Sequence, residues 1–136
     1  MDREAVKAIL PHREPMLLVD EAWLEDDCAV GRYHVRGDEF FLQGHFPGNP
    51  VVPGVILCEM LGQSSCVLIE GTTGTPYFTG LDKVRFKRVV HPGDTIEFRA
   101  RLTAHKGPYF FIQGTGTVDD ETCLTAELSF AVLTPR

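Results

Sequence analysis

Residues 44–54 read Gly-His-Phe-Pro-Gly-Asn-Pro-Val-Val-Pro-Gly, and three prolines with three glycines in so short a span cannot form a regular helix or strand. The stretch must be a stiff loop, and it determines where the next element begins. Pro53 suits the first position of a helix, which Val55, Leu57, Met60, Leu61, Val67 and Leu68 carry forward until Gly71-Thr72-Thr73-Gly74 ends it. A helix that is apolar on almost every side is usually buried. Cys58, Gly62, Ser65 and Cys66 give this one a small-residue face that lets a sheet come close, so the helix is predicted to be central.

From Tyr77 onward the chain alternates in the manner of strands. The apolar positions are Val84 and Phe86; Ile96, Phe98, Ala100 and Leu102; Phe110 and Ile112; and Leu124, Ala126, Leu128, Phe130 and Val132. Lys106-Gly107 and Asp119-Asp120-Glu121-Thr122 mark hairpins between the last three. Ahead of the stiff loop, Asp2 caps a short helix over residues 3–10 that Pro11 closes, and two early strands are expected at 16–19 and 28–35. One buried helix followed by an antiparallel meander is an α+β layout, a single domain over residues 1–136 in which a curled sheet wraps the helix. A chain of this length buries enough surface to fold without metals or disulfides as staples.

Hydrophobic residues make up 43% and charged residues 24% of the chain, as in soluble globular proteins, and no apolar run approaches the roughly 18 residues of a membrane span. A net charge of −6 argues against general binding to nucleic acid or to an anionic membrane, since both need a basic surface. Cys28, Cys58, Cys66 and Cys123 form no C-x-x-C pair and read as buried thiols, so neither a metal nor a cofactor is expected. The start, Met1-Asp2-Arg3-Glu4, lacks the basic and apolar regions of a signal peptide, which predicts a cytoplasmic location.

Residues 45–59 carry the chemistry. His45 is a neutral imidazole near pH 7 held between Gly44 and Phe46 in a loop with little freedom, which suits a general base. Gly54 supplies the first free N–H of the helix, because Pro53 has none, and the helix dipole adds positive potential where an oxyanion can sit. Glu59 lies one and a half turns further, its side chain leaning back toward a substrate held at Gly54. Among Ile56, Leu57 and Met60 its carboxyl loses hydration, which favours the protonated form and a role as acid, and Gln63 at i+4 can orient it.

Taken singly, a His beside Pro and Gly is usually structural, and a lone helical Glu usually faces solvent. Together they read differently, because a carboxylate inside a helix with no polar face costs several kcal/mol unless it is paired or functional. Pairing with a distant Arg is the structural alternative. Lys83, Arg85 and Lys87 alternate so that they share one strand face, a local basic stripe for an anionic partner; a solvated face or edge protection is at least as common for three basic residues. His12 and Arg13 are read as structural, the Arg bonding backbone carbonyls.

These residues resemble a known family, the 3-hydroxyacyl-acyl-carrier-protein dehydratases of the FabZ kind. The resemblance runs through Leu10-Pro11-His12-Arg13 with Leu17-Leu18-Val19-Asp20, through Gly44-His45-Phe46-Pro47-Gly48-Asn49-Pro50 to Val52-Pro53-Gly54-Val55 and Glu59, and through Asp82-Lys83-Val84-Arg85-Phe86-Lys87 with Pro92-Gly93-Asp94. It implies a hot-dog fold and dehydration of a (3R)-3-hydroxyacyl chain, borne by the phosphopantetheine arm of acyl carrier protein, to the trans-2-enoyl product of type II fatty acid synthesis. It further implies a homodimer, commonly assembled as a trimer of dimers, whose His45 and Glu59 meet across the subunit boundary. Phe46, Pro53, Gly54 and Val55 would contact substrate, Tyr77 would gate the acyl tunnel, and Lys83, Arg85 and Lys87 would dock the carrier. Glu59 stands where the related dehydratase-isomerase branch has Asp, which favours plain dehydration over an isomerase side activity. Glu14 and Met60-Leu61-Gly62-Gln63 depart from the family pattern and bear on tunnel shape.

Two other functions fit the same framework. A hot-dog thioesterase would use a carboxylate and water without needing a His in a Pro-Gly loop, and would release free thiol. A non-catalytic acyl-thioester sensor would bind without turnover, and has no use for the His45–Glu59 pair.

Overall fold

A computed structural model describes residues 2–69 and 74–134. In chain order the elements are α1 (Arg3–Val6), β1 (Glu21–Glu25), β2 (Cys28–His34), α2 (Gly54–Ser64), β3 (Thr75–Phe86), β4 (Thr95–Lys106), β5 (Tyr109–Val118) and β6 (Glu121–Leu133). The six strands form one antiparallel sheet in the order β1-β2-β4-β5-β6-β3, wrapped around α2 in the hot-dog arrangement. Both predicted hairpins are present, between β4 and β5 and between β5 and β6.

α2 is central as expected. Leu57, Cys58 and every residue from Met60 to Ser64 are buried, and the chain continues from it as a tighter 3-10 turn over Ser65–Ile69. The buried hydroxyls cost little because each bonds back to a helix carbonyl, Ser64 Oγ to Met60 at 2.8 Å and Ser65 Oγ to Leu61 at 2.6 Å. Gly62 allows the sheet to close on the helix, since a Cβ there would lie 2.5 Å from the ring of Phe78. The predicted helix stop at residues 71–74 lies outside the described residues except for Gly74. Pro53 proves to be the N-cap rather than the first helical residue. Among the described residues no helix is long and apolar enough to cross a membrane.

The N-terminal segment departs from expectation in two places. α1 ends at Val6 and frays into turns; Pro11 has no N–H to return to the Lys7 carbonyl, and Arg13 takes that carbonyl at 3.2 Å and the Leu10 carbonyl at 2.9 Å. This is the structural role expected of that arginine. Residues 16–19 are not a strand, and β1 begins only at Glu21. Leu17, Leu18 and Val19 are buried, but their backbone bonds go outside any sheet: Leu17 N–H donates to the Arg13 carbonyl at 3.0 Å, Leu18 N–H donates to Gln63 Oε1 at 2.8 Å, and Gln63 Nε2 donates to the Met16 carbonyl at 2.8 Å. The segment is apolar because it docks on α2, and a sheet ladder is not needed to satisfy it.

Candidate active site

His45 sits on the loop ahead of α2, half-buried, with its ring stacked on Phe46 at a centroid distance of 4.3 Å. Its Nδ1 lies 3.0 Å from the Val51 carbonyl. A carbonyl can only accept, so Nδ1 carries the ring proton and Nε2 presents a free lone pair, the tautomer a base requires. The loop is held across its neck, since Val51 N–H donates to the His45 carbonyl at 2.8 Å, and Phe46 and Asn49 exchange backbone bonds inside it.

The amides of Ile56 and Leu57 bond back to the Pro53 carbonyl, whereas those of Gly54 and Val55 have no acceptor among the described residues. They open onto a cleft of about 520 Å³ bounded by Val51, Val52, Gly54, Val55, Phe86 and Lys87. Gly54 lets the Phe86 ring pack against the helix start, because a Cβ would lie 2.6 Å from that ring.

Glu59 faces elsewhere. It lies in a pocket of about 210 Å³ with His12, Gln63, Cys66, Tyr77 and Phe78. Five residues along a helix is a rotation of about 140° beyond a full turn, so Gly54 and Glu59 leave α2 on different sides. The expectation that one chain would hold a substrate carbonyl at Gly54 while its own Glu59 reaches that substrate is therefore corrected: the two residues line separate cavities. Nor does His45 line either cavity.

The surroundings of Glu59 are more polar than its helix neighbours implied. Gln63 Nε2 donates to Glu59 Oε2 at 2.8 Å, as the i+4 spacing predicts, and the same oxygen lies 3.4 Å from His12 Nε2. Among the described residues the pairing partner is thus a histidine from the N-terminal loop, a residue the sequence presents as structural, and not an arginine. No local spacing in the sequence signals this contact; in the structure Gln63 ties that loop to α2. Cys66 in the same pocket is an inert thiol, since burial, reinforced by the charge of Glu59, pushes it up to about 12. Cys58 and Cys123 are buried too, whereas Cys28 is only half-buried.

Tyr77 and Phe78 of β3 form the exposed rim of the Glu59 pocket. Lys83, Arg85 and Lys87 are exposed, but their alternation is interrupted by a bulge between Asp82 and Arg85, where Lys83 has a φ of 50°. Two residues there oppose one on β6, so the three side chains do not form a regular one-face stripe.

The family model for ApeI-like proteins, described as ApeI dehydratase, matches residues 21–125. The chain is similar to the 3-hydroxyacyl-(acyl-carrier-protein) dehydratase FabZ of Latilactobacillus sakei, with 39% identity covering 97% of this chain and 99% of that protein. It is likewise similar to the FabZ dehydratase of Caldicellulosiruptor saccharolyticus, at 43% identity over 96% of this chain and 98% of that protein. Among solved structures, the dehydratase heterocomplex ApeI:P from Xenorhabdus doucetiae shares the fold, with a TM-score of 0.82 and 20% identity over 95% of this chain and 91% of that one.

Proposed function

This chain belongs to the FabZ family of 3-hydroxyacyl-(acyl-carrier-protein) dehydratases, and from that premise we propose that its active site is built by two protomers, His45 of one and Glu59 of the other. The reaction is dehydration of a 3-hydroxyacyl thioester on acyl carrier protein, a step of fatty acid biosynthesis. His45 Nε2 takes a proton from C2, and the electron pair left behind forms the C2–C3 double bond. The C3–O bond breaks, and the departing oxygen takes a proton from Glu59 and leaves as water. Charge that develops on the thioester carbonyl is met by the amides of Gly54 and Val55 at the positive end of α2. The imidazolium and carboxylate then return to their starting states by proton exchange through solvent.

The observation that carries the shared site is the separation of its parts within one chain: Gly54 and Glu59 open into different cavities, and His45 lines neither. The surface supplies a means of joining them. β3 is an edge strand that carries exposed Tyr77, Phe78, Leu81 and Phe86, Val55 is 73% exposed beside Phe86, and Phe46 is 55% exposed on the loop ahead of α2. A second copy laid against this edge would pair the free strand and cover the apolar surface. Tyr77 would then gate the acyl chain, Phe46 and Pro53 would contact the thioester, and Lys83, Arg85 and Lys87 would receive the acidic carrier. Three such dimers would form the complete cytoplasmic assembly.

The test is product analysis with carrier-bound 3-hydroxyacyl chains of several lengths. Enoyl thioester with the carrier still attached is the expected product. Release of free thiol without enoyl formation would replace the dehydratase by a thioesterase.

A further inference from the structure

The hydrogen bonds around Gln63 assign its amide without ambiguity. Leu18 N–H can only donate, so it must face the Gln63 oxygen, and the Met16 carbonyl can only accept, so it must face the nitrogen. The same nitrogen donates to Glu59 Oε2 at 2.8 Å, so Oε2 is already engaged as an acceptor. Glu59 Oε1 has no partner among the described residues. The unpartnered Oε1 is therefore the oxygen left free to hold and give up a transferable proton.

His12 acts on the same oxygen as Gln63. Its Nε2 lies 3.4 Å from Glu59 Oε2, and its Nδ1 is enclosed with no hydrogen-bond partner among the described residues. A lone pair on Nε2 would repel Oε2, so the tautomer that suits the contact carries its proton on Nε2. The backbone that carries the ring is tied down. Arg13 takes the carbonyl of His12 itself at 2.7 Å, together with those of Leu10 and Lys7. The 3.4 Å contact is longer than a good hydrogen bond, as is common for groups that tighten only once substrate fills the pocket.

We propose that His12 is a positioning residue for the dehydration: with Gln63 it holds Oε2 of Glu59, so that Oε1 alone faces the departing hydroxyl, a role that rests on Glu59 being the acid. The distinction from a packing role is kinetic. Loss of the Nε2 donor leaves Gln63 alone to hold Oε2 and loosens the aim of Oε1, which slows the chemical step and leaves ground-state binding in place.

The experiment compares His12→Phe, His12→Gln and His12→Asn with the unchanged protein and with Glu59→Gln, on a carrier-bound 3-hydroxyacyl substrate, with fold and assembly monitored for each. Gln places an N–H where His12 has Nε2, and Asn falls short of it. His12→Phe is expected to lower kcat roughly tenfold with KM within about twofold of the original, Gln to restore most of kcat, and Asn to restore little. If the Phe variant does not fold, the contrast between Gln and Asn makes the same distinction. An unchanged kcat in His12→Phe, or Gln no better than Phe or Asn, overturns the role of His12. If Glu59→Gln is inactive while His12→Phe is unaffected, only this inference falls. Full activity in Glu59→Gln removes the acid and His12's role with it.

Discussion

His45 and Val51 hold each other twice: Val51 accepts from the imidazole Nδ1 through its carbonyl at 3.0 Å and returns its own N–H to the His45 carbonyl at 2.8 Å. A six-residue reach of backbone thus selects both the ring's position and its tautomer. Nitrogen-15 NMR on histidine-labelled protein near neutral pH is expected to show Nδ1 protonated and Nε2 bare for this residue. His45→Ala should lower kcat by about 10²–10⁴-fold and leave the fold intact, because the Phe46–Asn49 bonds that shape the loop remain. An Nε2-protonated ring would contradict its use as the base.

Gly54 is pressed by a ring. A methyl group added there would stand 2.6 Å from Phe86, so Gly54→Ala must displace that side chain from the helix end. The cost should be about 1–3 kcal/mol in denaturant unfolding, together with a fall in kcat as the free amides move. Adding Phe86→Leu should recover stability. Failure of the second substitution to recover any would mean that the ring is not the obstacle.

The three basic residues on and after β3 are not equivalent. Lys83 lies 3.6 Å from Glu127, whereas Arg85 and Lys87 have no carboxylate partner among the described residues. Arg85→Glu and Lys87→Glu are expected to raise KM for carrier-bound substrate about tenfold and leave KM for a short thioester without carrier unchanged. Lys83→Glu should do less. Steady-state kinetics with the two substrates decides it, and equal changes for both would remove the docking role.

Glu14 ties the N-terminal helix to the loop that follows it. Its own backbone amide, then Arg3 at 3.0 Å and Lys7 at 3.2 Å, draw the carboxyl down to about 2. A carboxyl depressed in the folded state contributes stability above its unfolded value and loses it as pH falls through its folded value. Glu14→Gln should therefore unfold more readily than the parent above about pH 4.5, and the difference should vanish as pH falls to about 2. Thermal unfolding across that range checks the sign. The pair is exposed, so the difference should shrink in high salt.

Much of the architecture was legible because local pattern and tertiary role agree. The Pro-Gly run could only be a loop, α2 was too apolar to be anything but central, and period-two alternation located all four late strands. Residues 16–19 misled because a buried apolar run reads the same whether its backbone pairs with a strand or with the side chain of Gln63. Spacing along one helix placed Glu59 near Gly54 in distance and missed the rotation that sends them into separate cavities. His12 was invisible as a neighbour of Glu59 because contacts made across forty-seven positions leave no local period. The basic stripe was altered by a single bulge, which no alternation count contains.

The central claim is that one active site needs His45 from one protomer and Glu59 from another. Its most direct test is to mix purified His45→Ala and Glu59→Gln proteins, each inactive alone, under conditions in which subunit exchange is verified by mass spectrometry. Hybrid dimers each hold one intact His45–Glu59 site, so activity should return to about a quarter of the unmixed parent when exchange is complete, half of the dimers being hybrid and half of their sites intact. No return of activity despite full exchange would contradict a site shared between subunits.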